Sequence, residues 1–156
     1  NVEFYLDQIE DITKRFNNPF LGSDIIAGFV GETEEEFQTT VENLRKSKLS
    51  QIHTFPYSIR KNTIAEGLSG HLPDKVKENR ANIIKEISAE KFNAFLNANI
   101  NQAQDVLIEK KLTKDGLFKG MTKNYINVLL KEGEFNTIKK VYLKEVIKNK
   151  IYGEIC

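Results

Sequence analysis

The chain has 156 residues, 40% of them apolar and 29% charged, which excludes wholesale disorder and leaves room for one compact domain or two small ones. No apolar run reaches the roughly 18–20 residues of a membrane-spanning helix, and the single cysteine, Cys156, excludes an internal disulfide framework or thiolate cluster within this chain. The net charge of +1 hides an asymmetry: residues 1–90 carry 11 Lys/Arg against 15 Asp/Glu, and residues 91–156 carry 12 Lys against 7 Asp/Glu. An acidic half followed by a basic half reads either as two modules, the second with an anionic partner, or as ordinary solvated surface.

Val2, Tyr5, Leu6, Ile9, Ile12 and Phe16 recur at helical spacing, and Asn17, Asn18 and Pro19 stop that helix. The apolar run Asp24–Val30 has the composition of a strand covered on both faces. After a Gly31-Glu32 turn, Thr33 and Glu36 have capping-box spacing. Glu34 to Glu36 in the first turn and Arg45, Lys46 and Lys48 near the last match the helix dipole, with Phe37, Val41 and Leu44 as the buried stripe. A second strand is predicted from Gln51 to Phe55. Strand, helix, strand at this spacing is a βαβ unit and implies a parallel sheet with helical cover.

Residues 56–72 read as a long loop, and Pro73-Asp74 opens a long helix with Val76, Ile83, Ile84, Ile87 and Phe95 on one side, ending between Leu96 and Asn101. Beyond it the period becomes alternating. Asp105–Glu109, Leu117–Met121, Tyr125–Leu130, Lys140–Val146 and Lys150–Ile155 are strand candidates separated by turns, the pattern of a small antiparallel barrel of the OB type.

Residue chemistry by itself points to no enzyme. His53 and His71 have no carboxylate in a triad arrangement, no Cys/His metal spacing exists, and no phosphate-binding loop or dinucleotide fingerprint appears. Gly28 and Gly31 permit a tight turn where a strand ends, which in parallel α/β sheets is where ligands bind. A purely structural βα turn has the same appearance.

Three segments carry a resemblance. SDIIAGFVGETEEEF, from Ser23 to Phe37, is similar to the TDIIVGFPGETEEDF signature of radical S-adenosylmethionine methylthiotransferases. HTFPYSIRKNTIA, from His53 to Ala65, resembles their HVFPYSPRPGTPA segment. DVLIE, GMTKNYINV and the closing YGEI, from Asp105 onward, resemble the TRAM domain that ends these enzymes. The matches fall in the family's order, from about Leu21 to Cys156.

The resemblance implies that residues 1–90 are the last βα units of a partial TIM-like radical domain and residues 91–156 a TRAM, tRNA-binding barrel. The intact enzyme would methylthiolate C2 of a modified adenosine beside the tRNA anticodon. It would use S-adenosylmethionine and [4Fe-4S] clusters whose CxxxCxxC ligands lie upstream and are not in this chain. The piece by itself would then be inactive, a soluble cytoplasmic tRNA binder that works with the rest of its own polypeptide.

Carried over residue by residue, Asp24, Gly28 and Glu32 match cofactor-side positions. Asp24 reads equally as a turn-satisfying carboxylate and Glu32 as a helix-start acid. Tyr57, Ser58, Arg60 and Thr63 match a substrate loop, Arg60 being either a bidentate anion clamp or an exposed side chain without a partner. Lys119, Lys123 and Tyr125 match the RNA-facing part of the barrel, although a strand tyrosine without the resemblance reads as core. Lys139, Lys140, Lys144, Lys148 and Lys150 add charge or guard strand edges.

The family has Pro where Val30 stands and Gly where Asn62 stands. The His53–Arg60 segment resembles the branch acting on N6-threonylcarbamoyladenosine more than the isopentenyladenosine branch. The alternative from a different class is a free-standing RNA-binding module without catalysis.

Overall fold

A computed structural model describes residues 1–109 and 112–156 with their side chains. The chain divides into two compact units, one formed by Asn1–Phe16 and Leu21–Lys91, the other by Asn17–Phe20 and Phe92–Cys156.

The first unit opens with α1 (Val2–Arg15), whose Asn1 cap accepts the Phe4 N–H at 2.9 Å. Strands β1 (Gly22–Ala27) and β2 (Gln51–Pro56) pair in parallel around α2 (Glu34–Lys46), in the register Asp24 with His53 and Ile26 with Phe55. A single 3-10 turn, Ile64–Gly67, interrupts the long loop before α3 (Asp74–Asn97). The α2 capping box forms as its spacing predicts: Thr33 accepts the Glu36 N–H at 3.2 Å and Glu36 accepts the Thr33 N–H at 2.8 Å.

The core of this unit joins Ile9, Ala27, Phe37, Leu44, Ile52, Ile84 and Ile87 from all five elements. Two predicted stripes are buried only in part. In α1 only Ile9 is fully buried while Val2, Tyr5, Ile12 and Phe16 stay exposed, because a sheet of two strands, about 5 Å apart, seats only a narrow line of the helix. In α3 the buried line is Lys77, Arg80, Ala81, Ile84, Ile87 and Ser88, and Ile83 faces out.

β1 also begins and ends earlier than the apolar run implies. Gly28 has φ +74° and gives its N–H to the Glu32 carboxylate at 2.9 Å, so the ladder stops at Ala27. The sheet is covered on one face only. Asp24, Ile26, His53 and Phe55 line the other, with Ile26 59% and Phe55 54% exposed.

The second unit is a closed barrel of β3 (Gln102–Leu112), β4 (Phe118–Thr122), β5 (Asn127–Leu130), β6 (Ile138–Ile147) and β7 (Lys150–Ile155), in the order β3-β4-β5-β7-β6. The expected barrel was purely antiparallel; this one is mixed, because β5 and β7 run parallel. The reason is parity: five strands cannot alternate in direction around a closed ring, so at least one neighbouring pair must be parallel. Val106, Ile108, Ile126, Val128, Leu130, Val141, Leu143 and Ile151 fill the interior, with Phe95 and Leu96 from the end of α3.

Candidate functional site

In the first unit the polar groups gather where β1 and β2 end. Phe29 to Glu32 make a turn closed by the Glu32 N–H to the Phe29 carbonyl at 3.0 Å, with Gly31 at φ +81° in its third position. Val30 occupies the second position, where such turns favour proline and accept other residues, so the turn forms without it. A Cβ on Gly28 would lie 2.6 Å from Lys77 Cγ, which makes close approach of α3 a second reason for glycine there.

Glu32 and Arg80 fix this turn. The Glu32 carboxylate accepts the Gly28 N–H and, at 2.6 Å, an Arg80 Nη1 donor. Arg80 also reaches the Glu32 carbonyl and the Glu34 carboxylate, each at 3.0 Å, and lies over the Phe37 ring. Its side chain is only 7% exposed. Gln38 and Arg80 together hold the Glu34 carboxyl below its ordinary range. Arg80 was not among the residues the motifs single out. The signal lay in the spacing of 77, 80, 84 and 87, one helical line in which two cations occupy positions that otherwise read as solvated.

Of the residues expected on the cofactor side, Gly28 is packed against Lys77 and Glu32 is engaged within its own turn. Asp24 is exposed on the bare sheet face and its carboxylate makes no hydrogen bond or ion pair among the described residues. In the loop after β2, Tyr57 donates its N–H to the Ala27 carbonyl at 2.8 Å and places its ring edge-on to Phe29 and parallel to His71. Ser58 and Arg60 are exposed, and the Arg60 guanidinium makes no ion pair among the described residues. Thr63 donates its hydroxyl to the Arg60 carbonyl at 2.8 Å. Asn62, at φ 64°, adopts the left-handed conformation that glycine would supply, and its N–H is held by Glu66.

The donor set does not fit an iron–sulfur cube. Such a cluster needs several thiolates, and this chain has one cysteine, exposed at residue 156.

In the second unit, Tyr125 lies in the turn before β5 rather than in the strand, at φ +61° and 69% exposed. The barrel-core reading of Tyr125 is thereby corrected: Ile126, its neighbour, is the residue fully buried in the interior. Lys119 is half-buried on β4 and Lys123 is exposed. Asp105 accepts from Lys123 at 3.1 Å and from Lys140 at 3.4 Å, and the two ammonium groups, Lys123 foremost, hold its carboxyl below the ordinary range. Lys139 pairs with Glu134 and Lys144 with Glu154. The lysines therefore do not guard an open edge, because the closed barrel has none.

The chain is 35% identical over 97% of its length to the tRNA-2-methylthio-N(6)-dimethylallyladenosine synthase of Bartonella quintana. It is 30% identical over 94% of its length to the threonylcarbamoyladenosine tRNA methylthiotransferase MtaB of Bacillus subtilis, and 36% identical over 69% to the MtaB of Aquifex aeolicus. By sequence, the chain belongs to the tRNA methylthiotransferase family. It spans about a third of the length of the first two of these relatives and a quarter of the third. No family model matches it. Methylthiotransferases of both named branches match at 30–36% identity, and no helix among the described residues is long and apolar enough to cross a membrane.

Proposed function

We propose that this chain is the C-terminal part of a tRNA methylthiotransferase that modifies C2 of an N6-substituted adenosine. The observation that carries the reading is the 30–36% identity to methylthiotransferases across most or nearly all of the chain. The first unit is then the closing βα portion of the catalytic domain. A two-stranded parallel sheet with one bare face supports this, since parallel strands are ordinarily covered on both faces. Further strands of the same sheet would cover Ile26 and Phe55 and place Asp24 and His53 inside a barrel. The second unit is the RNA-binding module, supported by its lysine excess and by the exposed Tyr125.

In the intact enzyme S-adenosylmethionine and iron–sulfur clusters supply the radical and sulfur chemistry, and the cluster ligands come from outside this chain. The residues here position and bind. Asp24, on the bare face, is the carboxylate available to an ammonium group, while Glu32 holds the Gly28–Gly31 turn with Arg80. Tyr57, Ser58, Arg60 and Thr63 form the loop offered to the substrate, with the Arg60 guanidinium open to an anionic group. Lys119, Lys123 and Tyr125 meet the tRNA.

The test is expression of the whole reading frame that contains this chain, in cells stripped of their own methylthiotransferases, with mass spectrometry of the tRNA nucleosides. A 2-methylthio adenosine derivative is the expected product, and its side chain names the branch. A frame without a CxxxCxxC loop, or one that leaves the tRNA unmodified, returns the chain to the second reading, an RNA-binding module without catalysis.

A further inference from the structure

We propose that a cleft on the outer face of the barrel holds one unstacked base of a single-stranded RNA, with Lys123 and Lys140 set to engage the flanking phosphates. The inference rests on the RNA-binding reading above and deepens it. It begins with register. Ile138 on β6, Leu107 on β3 and Met121 on β4 are successive cross-strand partners, so they form one row. Leu107 and Ile138 are exposed, as interior residues would not be. The next row pairs Asp105 with Lys140, so an apolar strip runs directly beside a charged one.

The strip is a cleft of about 290 Å³, with Leu107, Met121, Ile138 and Tyr125 as its apolar walls and Asp105 and Lys123 at its rim. A flat apolar slot with an aromatic wall takes the π-face of any base. A duplex keeps its bases stacked inside, so only an unpaired nucleotide can fill it.

Tyr125 is held out by construction. A bulky residue at φ +61° is a strained choice, and here the ring is mostly exposed, so core burial does not repay the strain. The turn that imposes it is heavily bonded. Thr122 Oγ1 accepts the Ile126 N–H at 2.9 Å and donates to Asn124 Oδ1 at 2.7 Å. Asn124 Nδ2 donates in turn to the Asn18 carbonyl at 2.9 Å and to the side chain of fully buried Asn99 at 3.0 Å. A network of this kind fixes the backbone that carries the ring, which lowers the ordering cost of stacking.

The rim has the matching charge. Lys123 and Lys140 are both exposed and both bonded to Asp105, so one carboxylate gathers two cations at its end of the cleft and leaves net positive charge there. A polyanion bearing flat apolar groups satisfies the slot and the rim together.

The test uses the 156-residue chain, labelled octauridylate, and an abasic ribose-phosphate oligomer of equal length and charge, compared by fluorescence anisotropy at low salt. The base-bearing oligomer is expected to bind about tenfold more tightly or better. Ile138→Ser should erase that advantage and leave abasic binding unchanged, and Tyr125→Ala should weaken binding of the base-bearing oligomer, with circular dichroism confirming the fold. Ile138 lies outside the bonded turn, so its variant decides the matter even if Tyr125→Ala disturbs the barrel. Equal, salt-dependent binding of both oligomers overturns the base cleft while RNA binding stands. Binding of neither oligomer overturns the RNA-binding reading and this inference with it.

Discussion

Glu32 in the first unit and Asp105 in the second each sit between two nitrogen donors, and the difference lies in what surrounds them. Glu32 is closed in by the Gly28 N–H and by an Arg80 side chain that is 7% exposed. Asp105 faces lysines that stand mostly in water, Lys123 at 84% exposure. A buried charge must be answered inside the protein, because desolvation is costly and an unpaired partner more costly still. An exposed pair contributes little to folding and leaves its cations available to a ligand. The same chemistry therefore shapes a turn in one unit and leaves two lysines open to solvent in the other.

The sharpest way to break this comparison is Arg80→Ala. Removing the guanidinium leaves Glu32 partly buried without its counter-charge and strips donors from Glu34 and the Glu32 carbonyl. The expected loss is about 3 kcal/mol, read from urea unfolding of the first unit. Glu32→Gln should cost less, since its amide oxygen still accepts the Gly28 N–H. A loss below about 1 kcal/mol for Arg80→Ala, the range of a surface pair, would show that the buried pair does not hold the turn.

Thr33→Ala is the intermediate case, a hydrogen-bonded cap at the surface. Losing the bond from the Glu36 N–H should cost about 1 kcal/mol. That bond's reciprocal partner also gives a sign in pH. The Thr33 N–H and hydroxyl hold the Glu36 carboxyl below its ordinary value of 4.5. The stabilisation is therefore complete above that value and is lost as pH falls through the depressed folded pKa. The alanine variant keeps the backbone N–H to Glu36, and the lost bond from the Glu36 N–H does not titrate. Acidification should therefore narrow the gap in melting temperature only by the share of the hydroxyl–carboxylate bond; full convergence at low pH would mean the Thr33 hydroxyl acts through the carboxylate alone.

These contrasts also show which parts of the molecule can be read from sequence. Local rules sufficed where the partners are near in the chain: the α2 capping box, the start of α3 at Asp74 and the left-handed Asn62 all lie within four residues of what satisfies them. Reading failed where the partner is distant. Arg80 is 48 residues from Glu32, so nothing in its neighbourhood marks it as buried. Ile83 has the helical period and still faces solvent, because which side of α3 is covered depends on β1 and β2. The parallel β5–β7 pair follows from ring closure, a property of the whole barrel that no single strand records. The family motifs located the Gly28–Glu32 turn and singled out Tyr125 while the strand pattern placed it in β5, and the bonds that hold each in place had to be seen.

The smallest expected effect is the most discriminating. Asp105→Asn removes the carboxylate between Lys123 and Lys140, and stability at neutral pH should stay within the error of a urea melt, since the pairs are solvated. Acid should barely separate the two proteins. The folded-state pKa of Asp105 is depressed by its lysines, so whatever the pairs contribute is present above the ordinary carboxylate range and fades below it. RNA affinity is where the substitution should register, and its sign separates two pictures. If positive charge alone attracts RNA, deleting an anion tightens binding. If Asp105 holds the lysines in position around the cleft, the variant gains net charge and yet binds octauridylate more weakly. Titration of both proteins at two salt concentrations reads that sign directly, because the charge-only picture also requires the salt dependence to steepen or hold. Weaker binding with an unchanged salt slope would show that placement of the two cations matters more than the added charge.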